Sequence, residues 1–262
     1  MSESPVENLS GSSGTQAPWG LGGALTVPVI AFGSQIVLSF LITGFSFGIL
    51  TVLDPGLIND REEKLEIAVL VSVGPIVLLS SLLTLALIYG SVSLICGRPL
   101  LASLWLKRPT FGGTLSFLAT GMSIAVLVLV LSMLVPPSEE QAVGGPLSRL
   151  AESGGIGYAI WMALAILAAP IVEELLFRGY AYLGARETVG AGWAGIGVTF
   201  LFTVLHFAET GTYWPALAGI GLLAVILVLV MEGTRNLTNC VLCHLGYNAT
   251  LVLVSIYPAL GY

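Results

Sequence analysis

Seven runs of apolar residues divide the chain, at 24–50, 67–95, 114–135, 156–187, 191–209, 213–231 and 237–257. Each is close to or above the roughly 20 residues that a helix needs to cross a bilayer. The first three contain no Asp, Glu, Lys or Arg. Lipid offers no partner to an open backbone, so a span is either a helix or a strand of a closed barrel, and these lengths select helices. The pattern predicts an all-α polytopic transmembrane bundle of about seven spans, with any active site inside the bundle.

Polar punctuation separates the runs: "DPGLINDREEKLE", "CGRPLLASLWLKRP" and "PPSEEQAVGGPLSRLAESGG". The opening stretch, residues 1–22, is Gly/Ser-rich and holds no Lys or Arg. It reads as a disordered polar tail without the basic segment of a signal peptide. Three parts follow: the tail at 1–22, helices 1–3 at 23–152, and helices 4–7 at 153–262.

Composition narrows the class. Of 262 residues, 56% are hydrophobic and 9% are charged, more apolar surface than a soluble domain of this size can hide. The protein is expected to be an integral multi-pass membrane protein, with a bacterial inner (plasma) membrane as its place and membrane lipid as a partner. A net charge of -6 argues against nucleic acid. Lys and Arg are biased between the two sets of connections. Arg98, Lys107, Arg108, Arg186 and Arg235 fall in one set, and Arg61, Lys64 and Arg149 in the other. Five against three favours a cytoplasmic N-terminus.

Ionisable residues within spans are costly, which makes them functional candidates. One cluster stands out, in "APIVEELLFRGYAYLGARE" of the fourth helix. Glu174 and Arg178 stand at i and i+4, Glu first, the favoured order for an intrahelical pair. Mutual neutralisation with no further role would explain both. Glu173 points about 100° away from Glu174 and needs another partner; a buried carboxylate of this kind suits a general base. Both histidines of the chain, His206 in "FLFTVLHF" and His244 in "CHLGYN", also lie in apolar runs.

A tight connection at Gly190 makes helices 4 and 5 antiparallel. Glu173 precedes it by 17 residues and His206 follows it by 16, about 25 Å along either helix, so the two side chains are expected at one depth. Ala191, Gly195 and Thr199 are small enough to let these two helices approach. His206 lies close to the connection to helix 6, so helix 5 either ends inside the protein or brings the site near a membrane face. His244 and Asn248 share a face of helix 7. They can donate hydrogen bonds to a developing oxyanion, or Asn248 can simply bond a neighbouring helix.

The same segment, "NCVLCHLGYN", also has the C-x-x-C-H spacing of covalent haem attachment. No second axial ligand lies nearby in sequence. Cys96, Cys240 and Cys243 read instead as small packing residues.

Three motifs then occur in order: "EELLFR" as E-E-x-x-x-R, "FTVLH" as F-x-x-x-H and "HLGYN" as H-x-x-x-N, with Ala169-Pro170 and Gly179-Tyr180 flanking the first. Over about residues 155–255 the sequence resembles the CPBP intramembrane proteases, the group of the type II CAAX prenyl endopeptidases and the bacterial Abi proteins. The CAAX endopeptidase fold is described with eight spans, one more than the seven read here. The resemblance implies a glutamate-dependent intramembrane endopeptidase that hydrolyses a peptide bond near the membrane surface, on a peptide or membrane-protein substrate. It implies that Glu173 and His206 activate a water, that His244 and Asn248 steady the oxyanion, and that Glu174 and Arg178 support the site. The implied mechanism needs no cofactor. Zinc is the competing expectation, with Glu173, His206 and His244 as ligands. Two other classes compete with the enzyme: a non-catalytic membrane adaptor or bacteriocin-type immunity protein of the same fold, and a proton-coupled transporter using Glu173 and His206.

Overall fold

The computed structural model describes residues 17–53, 61–138 and 155–256, and among them every regular element is helical. Two long helices come first, α1 (Gly20–Leu53) and α2 (Arg61–Tyr89), the latter continuing as a wider π-helical turn, Gly90–Ile95. A short α3 (Leu100–Ser103) leads to α4 (Phe111–Leu134). The next stretch alternates: α5 (Gly155–Ala163), a π segment Leu164–Ala168, α6 (Ala169–Glu174), a second π segment Leu175–Tyr182, and α7 (Leu183–Leu205). A short α8 (Phe207–Thr210) precedes α9 (Trp214–Thr234) and α10 (Leu237–Ile256).

Six of these helical runs are long and apolar enough to cross a membrane. One of them, Ala159–Leu205, is 47 residues long, about 70 Å if straight and twice the thickness of a hydrocarbon core. It is not straight. Gly190, at φ 82 and ψ 161, breaks it, and Glu173 and His206 on either side come within 3.9 Å of each other. The break falls between the fourth and fifth apolar runs of the sequence, but by length and hydropathy the described helices give six candidate spans against the seven expected. Outward faces are apolar as lipid requires, with Phe40 77%, Phe45 70% and Trp193 72% exposed.

The disordered tail expected over residues 1–22 is contradicted at residues 17–22, where α1 begins. Residues 1–16 lie outside the described residues, but Ala17 and Trp19 are buried. Trp19 stacks on Tyr180 with ring centroids 4.8 Å apart, and its indole N–H donates to the Tyr180 carbonyl at 3.0 Å. An aromatic ring with one donor is well suited to closing the end of a bundle. The segment read as a connection between helices 2 and 3 is likewise partly core, since Leu104 and Trp105 are buried and the Leu237 N–H donates to the Trp105 carbonyl.

Two glycines let α4 and α10 touch backbone to backbone. A Cβ on Gly121 would collide with the Cys243 carbonyl, and one on Gly246 with the Leu118 carbonyl. Such contact is how helices gain packing energy in lipid, where no hydrophobic force joins them. Gly195 acts differently from its expected part at the α6–α7 approach. Its open face receives Val228 of α9, and Tyr182 is more distant. On the same side Arg186 grips Glu232 of α9 in a two-pronged ion pair, 2.8 and 2.9 Å, and Tyr182 donates to the same carboxylate at 2.8 Å.

Gly246→Val should force α4 and α10 apart, costing about 1–3 kcal/mol or more by overpacking. Thermal unfolding in detergent should show a lowered midpoint. Gly44→Ala, where an added Cβ meets nothing within 4 Å, should leave the midpoint unchanged.

Candidate active site

The motif residues converge where α6, the end of α7 and α10 meet. Glu174 and Arg178 have no exposed side-chain surface and pair at 2.9 Å. The pair does more than neutralise itself. Glu174 Oε1 also accepts the Nδ1–H of His244 at 2.9 Å. Arg178 donates onward to the Ala224 carbonyl at 3.4 Å and lies 4.4 Å from the centre of the Phe202 ring. Helices α6, α7, α9 and α10 are thereby joined at one point.

Glu173, one residue earlier, faces the other way, 27% exposed at its side chain where Glu174 is sealed. Its Oε2 looks toward two imidazoles: His206 Nε2 at 3.9 Å and His244 Nε2 at 3.8 Å. Both rings are oriented from behind. His244 gives its Nδ1–H to Glu174, and His206 gives its own to the Phe202 carbonyl at 2.8 Å. These partners accept only, so in the neutral rings both Nε2 atoms carry lone pairs toward Glu173. The Phe202 carbonyl is free to accept because α7 stops at Leu205, leaving its last carbonyls without helical partners. Helix 5 therefore ends inside the protein. The equal-depth expectation from Gly190 correctly pairs the two side chains.

Asn248 lies beside the same cavity, but one of its amide N–H groups is committed to the Ala165 carbonyl at 2.9 Å. Proline explains the bond. In the π segment Leu164–Ala168 the Ala169 N–H bonds the Leu164 carbonyl, five residues back. The next bond of that register would run from residue 170 to Ala165, and Pro170 has no N–H. Asn248 fills the gap, so the interhelical bond anticipated as one of its two roles is made.

Above these groups stands a cavity of about 1530 Å³, with Glu173, His206, His244 and Asn248 in its wall and largely apolar residues around them. The two cysteines of the C-x-x-C-H spacing lie elsewhere. Cys240 and Cys243 are buried in the helix core, with Cys240 Sγ against the Leu227 carbonyl at 3.4 Å. The Glu173–His206–His244 set does not fit zinc as it stands. Bonds of 2.0–2.1 Å in a tetrahedron place ligand atoms about 3.3 Å apart, closer than the 3.8 and 3.9 Å here. Among the described residues no group of three or more His, Cys, Asp or Glu has the spacing to hold a metal.

Two predictions test this anatomy. Glu174→Ala or Arg178→Ala leaves a buried charge unpaired and should cost about 3–5 kcal/mol. Glu174→Leu with Arg178→Met should unfold at a higher temperature than either single variant, yet stay inactive because His244 has lost its orienting carboxylate. Asn248→Ala should cost about 1–3 kcal/mol by orphaning the Ala165 carbonyl. Adding Pro170→Ala restores an N–H at residue 170 and should return part of that stability, as read by unfolding midpoints. Activity that returns with it would confine Asn248 to a packing role.

Comparison with known proteins agrees with the motif reading. No curated protein and no solved structure matches the chain. Residues 155–250, which run from α5 through α10 and contain every residue of the cluster, match the family model described as type II CAAX prenyl endopeptidase Rce1-like. Over this stretch, less than half of the chain, the sequence is similar to the type II CAAX prenyl endopeptidase Rce1-like family, which supports a CAAX-protease-like fold around the site.

Proposed function

We propose that the protein is an intramembrane glutamate-dependent endopeptidase, with Glu173 as general base. The observation that carries the reading is the approach of two imidazole Nε2 atoms to one carboxylate oxygen at 3.8 and 3.9 Å. These spacings exceed a direct hydrogen bond and suit a bridging water. Three acceptor atoms facing one water, which has two hydrogens, require that one of the three carry a proton. We place that proton on His244 Nε2, which faces the cavity while Glu174 holds the ring from behind at Nδ1.

In the reaction Glu173 takes a proton from the water as its oxygen attacks the scissile carbonyl carbon, with His206 Nε2 aligning it. The charge that develops on the carbonyl oxygen meets the Nε2–H of His244 and the free amide N–H of Asn248. Collapse breaks the C–N bond, and Glu173 returns its proton to the leaving amine. The largely apolar walls strengthen each of these interactions. No step needs a metal.

Purified protein incubated with a peptide library is the direct test. Glu173→Gln keeps shape and hydrogen bonding but cannot take the proton, so cleavage should vanish while the variant inserts and folds normally. His206→Ala should be close to inactive. His244→Ala should retain measurable turnover, reduced about 10²–10³-fold as for loss of one oxyanion donor. Exhaustive chelation should leave the rate unchanged; turnover that requires stoichiometric zinc, lost with either histidine, would overturn the mechanism.

A further inference from the structure

We infer that the Tyr247 hydroxyl forms a substrate subsite in the cavity, donating a hydrogen bond to a main-chain carbonyl of the bound peptide that flanks the scissile one. The inference rests on the peptidase reading above and adds a contact which that reaction does not use.

Tyr247 stands on α10 between the two motif residues His244 and Asn248. Helical pitch puts it about 60° around the axis from His244, on the side away from Asn248. The neighbours show the same separation. Asn248 is tied to the Ala165 carbonyl of the π segment before α6. Tyr247 reaches instead toward α4 and α9, where a Cβ on Gly219 would lie 3.2 Å from its hydroxyl oxygen and would collide with Val128. Tyr247 and Val128 both line the cavity, as do Ala216, Ile220 and Leu223 on the stripe of α9 beside Gly219. The bare face of Gly219 leaves the phenol its place in this wall.

Only 4% of Tyr247 is exposed, and its hydroxyl has no hydrogen-bond partner among the described residues. Other tyrosines of the bundle are engaged: Tyr180 with Ser91, Tyr182 with Glu232 and Tyr213 with the Val135 carbonyl. Nor is the Tyr247 oxygen sealed off. The side-chain atoms closed in without a partner are Glu173 Oε2, Glu174 Oε2, Arg178 Nε and Asn239 Oδ1. The hydroxyl therefore keeps its opening on the cavity that its residue lines. A polar group in an apolar wall is costly without a partner, and phenylalanine would fill the same space without that cost. A peptide entering between largely apolar walls brings main-chain carbonyls out of water, and each needs a donor. His244 and Asn248 serve the scissile carbonyl. Tyr247, on the other flank of His244, offers an O–H to a neighbouring one.

Tyr247→Phe in the full-length protein keeps the ring and removes only the hydroxyl. On a library peptide that the wild type cleaves, KM should rise about 3–10-fold, the loss of one neutral hydrogen bond. The rate kcat should stay within about 2-fold, because the bond is made in ground and transition state alike. The unfolding midpoint in detergent should equal or exceed that of the wild type. A lowered midpoint would reveal a partner inside the protein and overturn the inference. Copies of the peptide, each with one flanking peptide bond replaced by a thioamide, locate the contact, since C=S accepts hydrogen bonds poorly. At one position the replacement should weaken the wild type and leave Tyr247→Phe unaffected. An unchanged KM, a loss confined to kcat, or thioamide effects that add to those of the variant at every position overturns the inference. With Glu173→Gln inactive, each of those results leaves the peptidase reading standing. Cleavage that survives Glu173→Gln, or no cleavage by the wild type, overturns that reading and this inference with it.

Discussion

A glutamate and an arginine with no exposed surface, held at the depth of a bilayer, constrain everything around them. An unpaired charge there costs several kcal/mol, so Glu174 and Arg178 must find one another, and neighbours supply further contacts, although Glu174 Oε2 and Arg178 Nε have no hydrogen-bond partner among the described residues. The i, i+4 spacing supplies the first contact. The others come from three different helices: the His244 ring of α10, the Ala224 carbonyl of α9 and the Phe202 ring of α7. The pair is thus a fixed post to which the rest of the site is attached, and its most direct consequence is the orientation of His244.

Irregular helices make that attachment possible. A regular α-helix here would bond the Ala165 carbonyl from the Ala169 N–H and leave Asn248 nothing to bind at that position. The π register together with Pro170 exposes the Ala165 carbonyl, and Asn248 takes it. The early stop of α7 exposes the Phe202 carbonyl in the same way, and His206 takes that one. In both places a side chain that faces the cavity is held by a backbone group that the helix gave up. Broken backbone of this kind is tolerated in a membrane protein where it is buried or lines a cavity, and here it positions the groups that the proposed reaction uses.

Close helix contact sets the remaining geometry. Gly246 lies between His244 and Asn248, and its lack of a side chain seats α10 against α4. A wider separation would withdraw both residues from Glu173 together. The N-terminal helices serve the site too: α4 backs α10, and Trp19 with the first turn of α1 closes the bundle around Tyr180. Apolar walls over a polar floor then give a site in which a few charges act at low dielectric.

Sequence by itself determined the helical class, the positions of the spans and the polar residues that lie inside them, because lipid admits few solutions and the cost of a buried charge marks its bearer. The i, i+4 pairing of Glu174 with Arg178 and the reversal at Gly190 were legible for the same reason: both are local geometry, fixed by helical pitch or by one backbone position. Partners across helices were not legible. That His244 answers Glu174, that Asn248 answers Ala165, that Gly195 receives Val228 and that Trp19 belongs to the core all depend on how separate helices rotate and slide against each other. Helices that are apolar on every side carry no amphipathic stripe to fix that rotation. Tertiary structure decided it, through a few glycine contacts and the hydrogen bonds that Glu174, Arg178, His244 and Asn248 make across helices.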